Sequence, residues 1–200
     1  MTSPKLSART IIPFIGDIFE RRGSESYLGE AVTMSEHMLQ SAVLAERAGA
    51  DENLVAAALL HDIGHYTNEF GDDYIDRGID NLHDEAGARV LQGFFPPLVI
   101  ACVRLHVAAK RYLCATDAGY FAKLSPASVA TLKLQGGPMS PAEIAEFRRD
   151  PYHSQAVAVR QWDEGGKVPG MKTPPFGYYA PLLQRVVDRH MSGAEVRVAE

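Results

Sequence analysis

Five histidines and one aspartate carry the chemistry of this sequence: His37, His61, His65, His83 and His106, with Asp62 directly after His61. The steps from 37 to 61, 61 to 83 and 83 to 106 are 24, 22 and 23 residues, which places one imidazole on each of four successive helical segments. Imidazole nitrogens and carboxylate oxygens without thiolate suit iron, manganese, zinc or nickel rather than a soft metal. Taken singly, a histidine is more often a surface residue or a hydrogen-bonded core residue than a ligand. The His61-Asp62 pair is harder to set aside. It closes the apolar run 54–60, which must be buried, so both side chains are carried into the interior. Charge there has to be paired or bound to metal.

The elements that position these residues read as helices. Ile11, Phe14, Ile15, Ile18 and Phe19 recur at three- and four-residue steps within a first helix over 7–22, closed by Gly23. Residues 24–30 read as a loop. Thr33 and Glu36 form a capping box that opens a helix running to Gly49. Asp51 caps a third helix that ends at Gly64, and further helices are expected near 82–93 and 97–109. Ser125-Pro126 starts another, stopped by Gly136-Gly137, and Ser140-Pro141-Ala142-Glu143 is a second capping box. A periodic stretch over 152–164 ends at Gly165-Gly166, residues 165–177 read as a surface loop, and Pro181 opens a last helix that stops near Gly193. No period-two segment appears. The expectation is one all-α domain over 1–200, a bundle of about eight to ten helices, with a metal-binding core over about 27–165 and a C-terminal loop and helix over 166–200.

Composition narrows the functional classes. A chain of 200 residues with 46% hydrophobic and 22% charged residues buries enough surface to fold without a disulfide. Twenty Lys+Arg against twenty-five Asp+Glu give a net charge of −5, with no basic run, which argues against nucleic-acid binding. Only two cysteines occur, Cys102 and Cys114, and they form no CxxC pair, which fits a reducing compartment. The longest apolar stretch, 94–103, holds Pro96 and Pro97 and is half the length a bilayer needs. The sequence therefore predicts a cytoplasmic protein that does not engage membranes.

His37, then His61-Asp62, then a later lone aspartate resembles the HD-domain superfamily, and the string His61-Asp62-Ile63-Gly64-His65 matches its HDIG variant. His83 and His106 fit the two extra histidines that mark dinuclear members, and Asp163 looks like the closing ligand. The likeness narrows further on Tyr27-Leu28-Gly29-Glu30, on the stretch from His106 through Lys110 to Leu113, on 124–128, and on Gln135-Gly136-Gly137-Pro138-Met139. Together these resemble the HD-domain oxygenases of phosphonate breakdown, over most of the chain from Tyr27 to the helix at Pro181.

That resemblance implies two iron ions in the mixed-valent Fe2+/Fe3+ state. It implies O2-dependent cleavage of the C–P bond of a 1-hydroxy-2-(ammonio or trimethylammonio)ethylphosphonate, giving phosphate and glycine or glycine betaine. His37, His61, Asp62 and Asp163 would hold one iron; His83, His106 and a bridging Asp62 would hold the other. His65, Lys110, Ser128 and Arg160 would receive the phosphonate. Tyr27 would sit on the substrate-facing iron at rest, and Glu30 would meet the substrate nitrogen and draw that loop away. A 2-oxoglutarate-dependent hydroxylase would precede the enzyme by supplying its hydroxylated substrate.

Each of these roles has a plainer counterpart. Exposed Lys and Arg are usually solvated, Ser128 could equally hydrogen-bond the start of the 126–134 helix, Tyr27 could simply pack and Glu30 be solvated. Arg160 lies three residues before Asp163 and Lys110 four after His106, so each shares a helix face with an expected ligand. His153 and His190 fall outside the pattern and read as structural; Tyr66, Tyr112, Phe176, Tyr178 and Tyr179 read as core or rim, though any could also wall a quaternary-ammonium pocket. The same His/Asp set would serve a metal-dependent phosphohydrolase of a nucleotide or phosphoester, or survive in a degenerate HD domain acting as a binding module.

Overall fold

Burial of one face of each helix against the next organises the chain, which is described here over residues 6–66 and 81–198 of a computed structural model. Ten α-helices occur among the described residues: α1 (Ile11–Arg22), α2 (Met34–Arg47), α3 (Glu52–Leu60), α4 (His83–Leu91), α5 (Pro97–Thr116), α6 (Ala118–Phe121), α7 (Pro126–Leu134), α8 (Pro141–Phe147), α9 (His153–Gly165) and α10 (Phe176–Val198). A 3-10 turn, Ile63–Tyr66, follows α3. Among these residues there is no strand, only a single antiparallel bridge between Ser26 and Thr33. The all-α reading holds.

The predicted caps form. Thr33 and Glu36 exchange side-chain-to-backbone bonds at the start of α2, Asp51 accepts from Leu54 N at 3.0 Å, and Ser140 with Glu143 closes the second box. α5 lies centrally, against α3, α4 and α9, while α2 packs on α3 and α9, and α10 on α1 and α3. Ile11, Ile15, Met38, Leu59, Leu60, Ile63, Phe95 and Leu183 are fully buried in the main core. A smaller cluster of Ala109, Met139, Phe147 and Ala156 lies under α8. No helix among the described residues is long and apolar enough to cross a membrane.

The largest departures from the expected boundaries fall in α5, α10 and α3. α5 runs on to Thr116, because its last two turns bury Ala109, Lys110 and Leu113. α10 begins at Phe176 rather than Pro181 and continues past Gly193. Proline in a helix interior forfeits one backbone hydrogen bond, yet two aromatic contacts outweigh that loss: the Phe176 ring lies 4.7 Å from Phe19, and fully buried Tyr179 donates its hydroxyl to Glu46 at 3.0 Å. α3 stops at Leu60, so that His61 and Asp62 leave the helix at its last turn.

That stop is tied to Gly64, where the 3-10 turn meets α4 backbone to backbone. A methyl group on Gly64 would stand 1.8 Å from the His83 carbonyl oxygen and 2.6 Å from Gly87 N. Neither is a flexible side-chain end, so Gly64→Ala has to push α4 away. We expect this substitution to destabilise the fold by about 1–3 kcal/mol, the usual cost of overpacking, and to lower bound metal by displacing His83. A melt of the metal-free protein and metal analysis of the loaded protein check the two effects separately.

Candidate metal centre

Five helices converge on one interior point. α2 brings His37, the end of α3 brings His61 and Asp62, α4 opens with His83, α5 carries His106 at mid-length, and α9 carries Asp163. All six are buried. Oxygen acceptors fix the four imidazoles. Nδ1 of His37 donates to the Gly166 carbonyl at 2.9 Å, that of His61 to Ala58 at 2.8 Å, that of His106 to Val103 at 2.7 Å, and that of His83 to Asn81 Oδ1 at 2.8 Å. With each proton committed to Nδ1, Nε2 presents a lone pair, the arrangement in which outer hydrogen bonds orient metal-binding histidines.

Those lone pairs face one another in two groups. His37 Nε2 and His61 Nε2 are 3.0 Å apart, as are His83 Nε2 and His106 Nε2. Asp62 stands between the groups and divides its oxygens. Oδ2 lies 3.4 Å from both His37 and His61, while Oδ1 lies 3.4 Å from His83 and 3.3 Å from His106. Asp163 joins the first group, 3.4 Å from His37 and 3.8 Å from His61. Asp62 Oδ2 and Asp163 Oδ1 are buried without a hydrogen-bond partner. Orphaned carboxylate oxygens among bare imidazole nitrogens are what a cation satisfies. His37, His61 and Asp62 form one set with metal-ligand spacing, and Asp62, His83 and His106 the other.

Without a cation, a proton takes its place. Burial pushes the His61 imidazolium down, but the Asp62 and Asp163 carboxylates pull harder the other way and raise its pKa to about 9. Burial likewise opposes the Asp62 charge, yet His61, His106 and His37 hold that carboxyl well below its ordinary range. The raised histidine stabilises the metal-free fold fully below its unfolded pKa near 6.5, and that contribution disappears as pH rises through 9. We therefore expect metal-free protein to lose about 3 kcal/mol between pH 6.5 and 9, at roughly 1.4 kcal/mol per pH unit. The metal-loaded protein should lack this slope, and denaturant melts of the two forms across that range measure it.

The His83/His106 side opens into a narrow cavity. Tyr27, Glu30, His65, Lys110, Ser128 and Arg160, all singled out from sequence, line it together with Asp62 and Asp163, whereas His37 and His61 stand behind. Lys110 is almost fully buried and donates to Thr131 Oγ1 at 2.9 Å. Burial, and then the Arg160 charge, lower its pKa to about 7. Arg160 binds Tyr120 Oη at 2.6 Å and also pairs with Asp163 and Glu164. Ser128 does not cap α7: Ser125 does, accepting from Ser128 N at 3.1 Å, and the Ser128 hydroxyl donates instead to Glu164 at 3.1 Å. His65 stacks on His83 at 4.1 Å and accepts from Asn81 Nδ2 at 3.2 Å, which leaves its N–H on Nε2, 3.9 Å from Asp62.

Residues 24–30 are more ordered than a plain loop. Tyr27 N donates to the Val32 carbonyl at 3.2 Å and Glu30 N to the Tyr27 carbonyl at 2.7 Å, so Leu28 and Gly29 form a tight turn. Both have positive φ, 49° and 77°. Glycine adopts this region freely, while leucine there stores strain. The turn places the Tyr27 ring flat on His37, 3.9 Å between centroids, and burial followed by the nearby Asp62 and Asp163 charges raises its phenol pKa well above the usual value.

Three cavity residues escaped sequence reasoning. Thr131 and Gln135 follow Ser128 at steps of three and four, a polar stripe along α7 to its C-cap that helical spacing could have exposed. Lys167 lies beyond the Gly165-Gly166 stop, where no local pattern marks it. Asn81, which fixes both His65 and His83, carried no signal either.

An all-α bundle that buries four bare imidazole nitrogens and two carboxylates around a cavity lined by cations is a metal-binding helical domain. The HD-domain family pattern matches residues 34–143, and the chain belongs to that family. It is 56% identical over 187 residues to the [1-hydroxy-2-(trimethylamino)ethyl]phosphonate dioxygenase (glycine-betaine-forming) of Leisingera caerulea, covering 94% of this chain and 95% of that one. It is 46% identical over 156 residues to the hydroxymethylphosphonate dioxygenase of Gimesia maris, covering 78% of each. An uncharacterized protein, L432, of Acanthamoeba polyphaga mimivirus is 35% identical over 170 residues, 84% of this chain and 77% of that protein.

Proposed function

We infer that this protein is an iron-dependent dioxygenase that cleaves the C–P bond of 1-hydroxy-2-(trimethylammonio)ethylphosphonate, releasing phosphate and glycine betaine. The single observation that carries this reading is the split Asp62 carboxylate beside a cavity lined by cations. The relative of Leisingera caerulea, matched over nearly its whole length, supports the choice of substrate.

His37, His61, Asp62 and Asp163 would hold one iron, and His83, His106 and the second Asp62 oxygen the other. Iron in the Fe2+/Fe3+ state supplies reaction with O2, which zinc in the same donors would not. His83, His106 and Asp62 would supply fewer donors on the cavity side than His37, His61, Asp62 and Asp163 supply behind it, which would leave room there for the substrate hydroxyl and a phosphonate oxygen. Lys110 and Arg160 supply positive charge to the phosphonate, and Ser128, Thr131 and Gln135 supply hydrogen bonds. His65 turns its Nε2–H toward the reacting carbon's hydroxyl and phosphonate oxygens. Glu30 faces the trimethylammonium group, and Tyr27 closes the cavity when substrate is absent. In the oxidised resting enzyme we expect a visible phenolate-to-iron band that is missing in Tyr27→Phe.

The stoichiometry needs no external reductant. The substrate monoanion plus O2 equals glycine betaine plus dihydrogen phosphate, with both atoms of O2 retained in the products. A preceding oxidation must install the C1 hydroxyl, a task that fits a 2-oxoglutarate-dependent hydroxylase. The test is phosphate release from the trimethylated and free-ammonium substrates with and without O2. Release in anoxic buffer overturns the oxygenase, and release from ordinary phosphoesters favours a phosphohydrolase instead.

A further inference from the structure

Lys167 follows α9 after the Gly165-Gly166 stop, and its side chain is only 10% exposed. Its ammonium lies 2.8 Å from Ser128 Oγ, 3.2 Å from Glu164 Oε2 and 3.7 Å from Glu30 Oε1, with the centre of the Tyr27 ring 5.9 Å away. Glu30 Oε1 is buried and accepts no hydrogen bond. A carboxylate and an aromatic face turned toward one point make a cation site. The cation standing at that site is an internal lysine.

We propose that Lys167 is a tethered cation that shares the subsite for the substrate's charged nitrogen, neutralising Glu30 until that nitrogen arrives, and so sets the preference between phosphonates with and without a positive charge beside C1. The proposal rests on the substrate assignment above. Its physical basis is an asymmetry in what Lys167 loses. When a cationic nitrogen pairs with Glu30, Lys167 keeps Ser128 and Glu164 and gives up little. When the bound phosphonate has no nitrogen, only Lys167 stands between the Glu30 carboxylate and another anion. Like charges brought together in a desolvated site repel strongly.

The experiment is calorimetric binding under argon to the iron-loaded enzyme, using 1-hydroxy-2-(trimethylammonio)ethylphosphonate and the nitrogen-free hydroxymethylphosphonate. Lys167→Gln should weaken the nitrogen-free compound by at least about tenfold and the cationic one by less than about threefold, within the range of a desolvated charge contact. Lys167→Arg, which keeps the charge, should preserve the wild-type ratio. In a Glu30→Gln background, Lys167→Gln should weaken both compounds equally. An equal loss of both compounds while Glu30 is present, or no loss of either, overturns the proposal. Because binding is read without turnover, a wild-type enzyme that binds both compounds yet releases no phosphate in air refutes the assigned reaction, and the binding ratio still decides the role of Lys167. Wild-type enzyme that binds neither compound overturns both.

Discussion

Asp62→Ala empties both metal sites. Its two oxygens are shared, Oδ2 with His37 and His61, Oδ1 with His83 and His106, so one truncation removes a donor from each set. It also removes the charge that counters mutual repulsion between two cations a few ångströms apart. His106→Ala removes a donor from the cavity side alone, and there only that ion should be lost. The comparison is made by metal analysis on folded, purified protein, with circular dichroism to confirm the fold. Asp62→Asn sharpens it, since volume is kept and only charge changes. Full occupancy of both sites in Asp62→Ala would end the bridging assignment.

Lys110→Ala and Arg160→Ala both cripple kcat/KM, but only one spares the metal. Truncating one side of a desolvated charge contact costs about 2–5 kcal/mol, a loss of roughly 30-fold to several thousandfold. The Lys110 ammonium touches Thr131 and no metal donor, so its removal should leave metal content intact. Arg160 also pairs with Asp163, so Arg160→Ala frees a carboxylate of the first metal set and should weaken metal binding as well. Helical spacing placed Arg160 beside Asp163, and the family resemblance implied only a substrate role for it. The Lys110 variant carries a pH signature too. Its pKa of about 7 means that binding a dianion above that pH requires uptake of a proton, so kcat/KM should fall by up to about tenfold per pH unit. Lys110→Met should lack that limb while the substrate's own titration remains. An unchanged pH profile in Lys110→Met would remove this lysine from the phosphonate site.

Much of this centre was legible because its donors are announced locally. His61-Asp62 ends an apolar run, and the helices that bring His37 and His61 have their caps written in Thr33 and Asp51. The helix boundaries that were misplaced share one cause. Pro181 reads as a start because local rules place proline in the first turn, whereas Phe176 and Tyr179 extend α10 through contacts with Phe19 and Glu46, far away in sequence. Lys167, Glu164 and Asn81 were missed for the same reason. Each acts through a partner that only the folded chain brings near, Glu30 and Ser128 for Lys167, Ser128 for Glu164, His65 for Asn81. Gly64 reads as a helix stop and also marks where two backbones touch, a property that no local pattern encodes.

The donors of the first metal set come from positions 37, 61, 62 and 163, so a bound ion ties together chain segments about a hundred residues apart. Such a tie acts on the unfolded ensemble as a covalent crosslink does; a loop of that length closed by a disulfide removes about 4.7 kcal/mol of chain entropy at room temperature. Metal therefore works as a topological clamp as well as a reagent. Its tension falls on α2, α3, α4, α5 and α9, which carry ligands of the two sets, and bypasses α1 and α10, which are held through apolar packing and carry none. Stripping the metal should accordingly speed amide exchange in those five helices well before it is felt in α1 and α10.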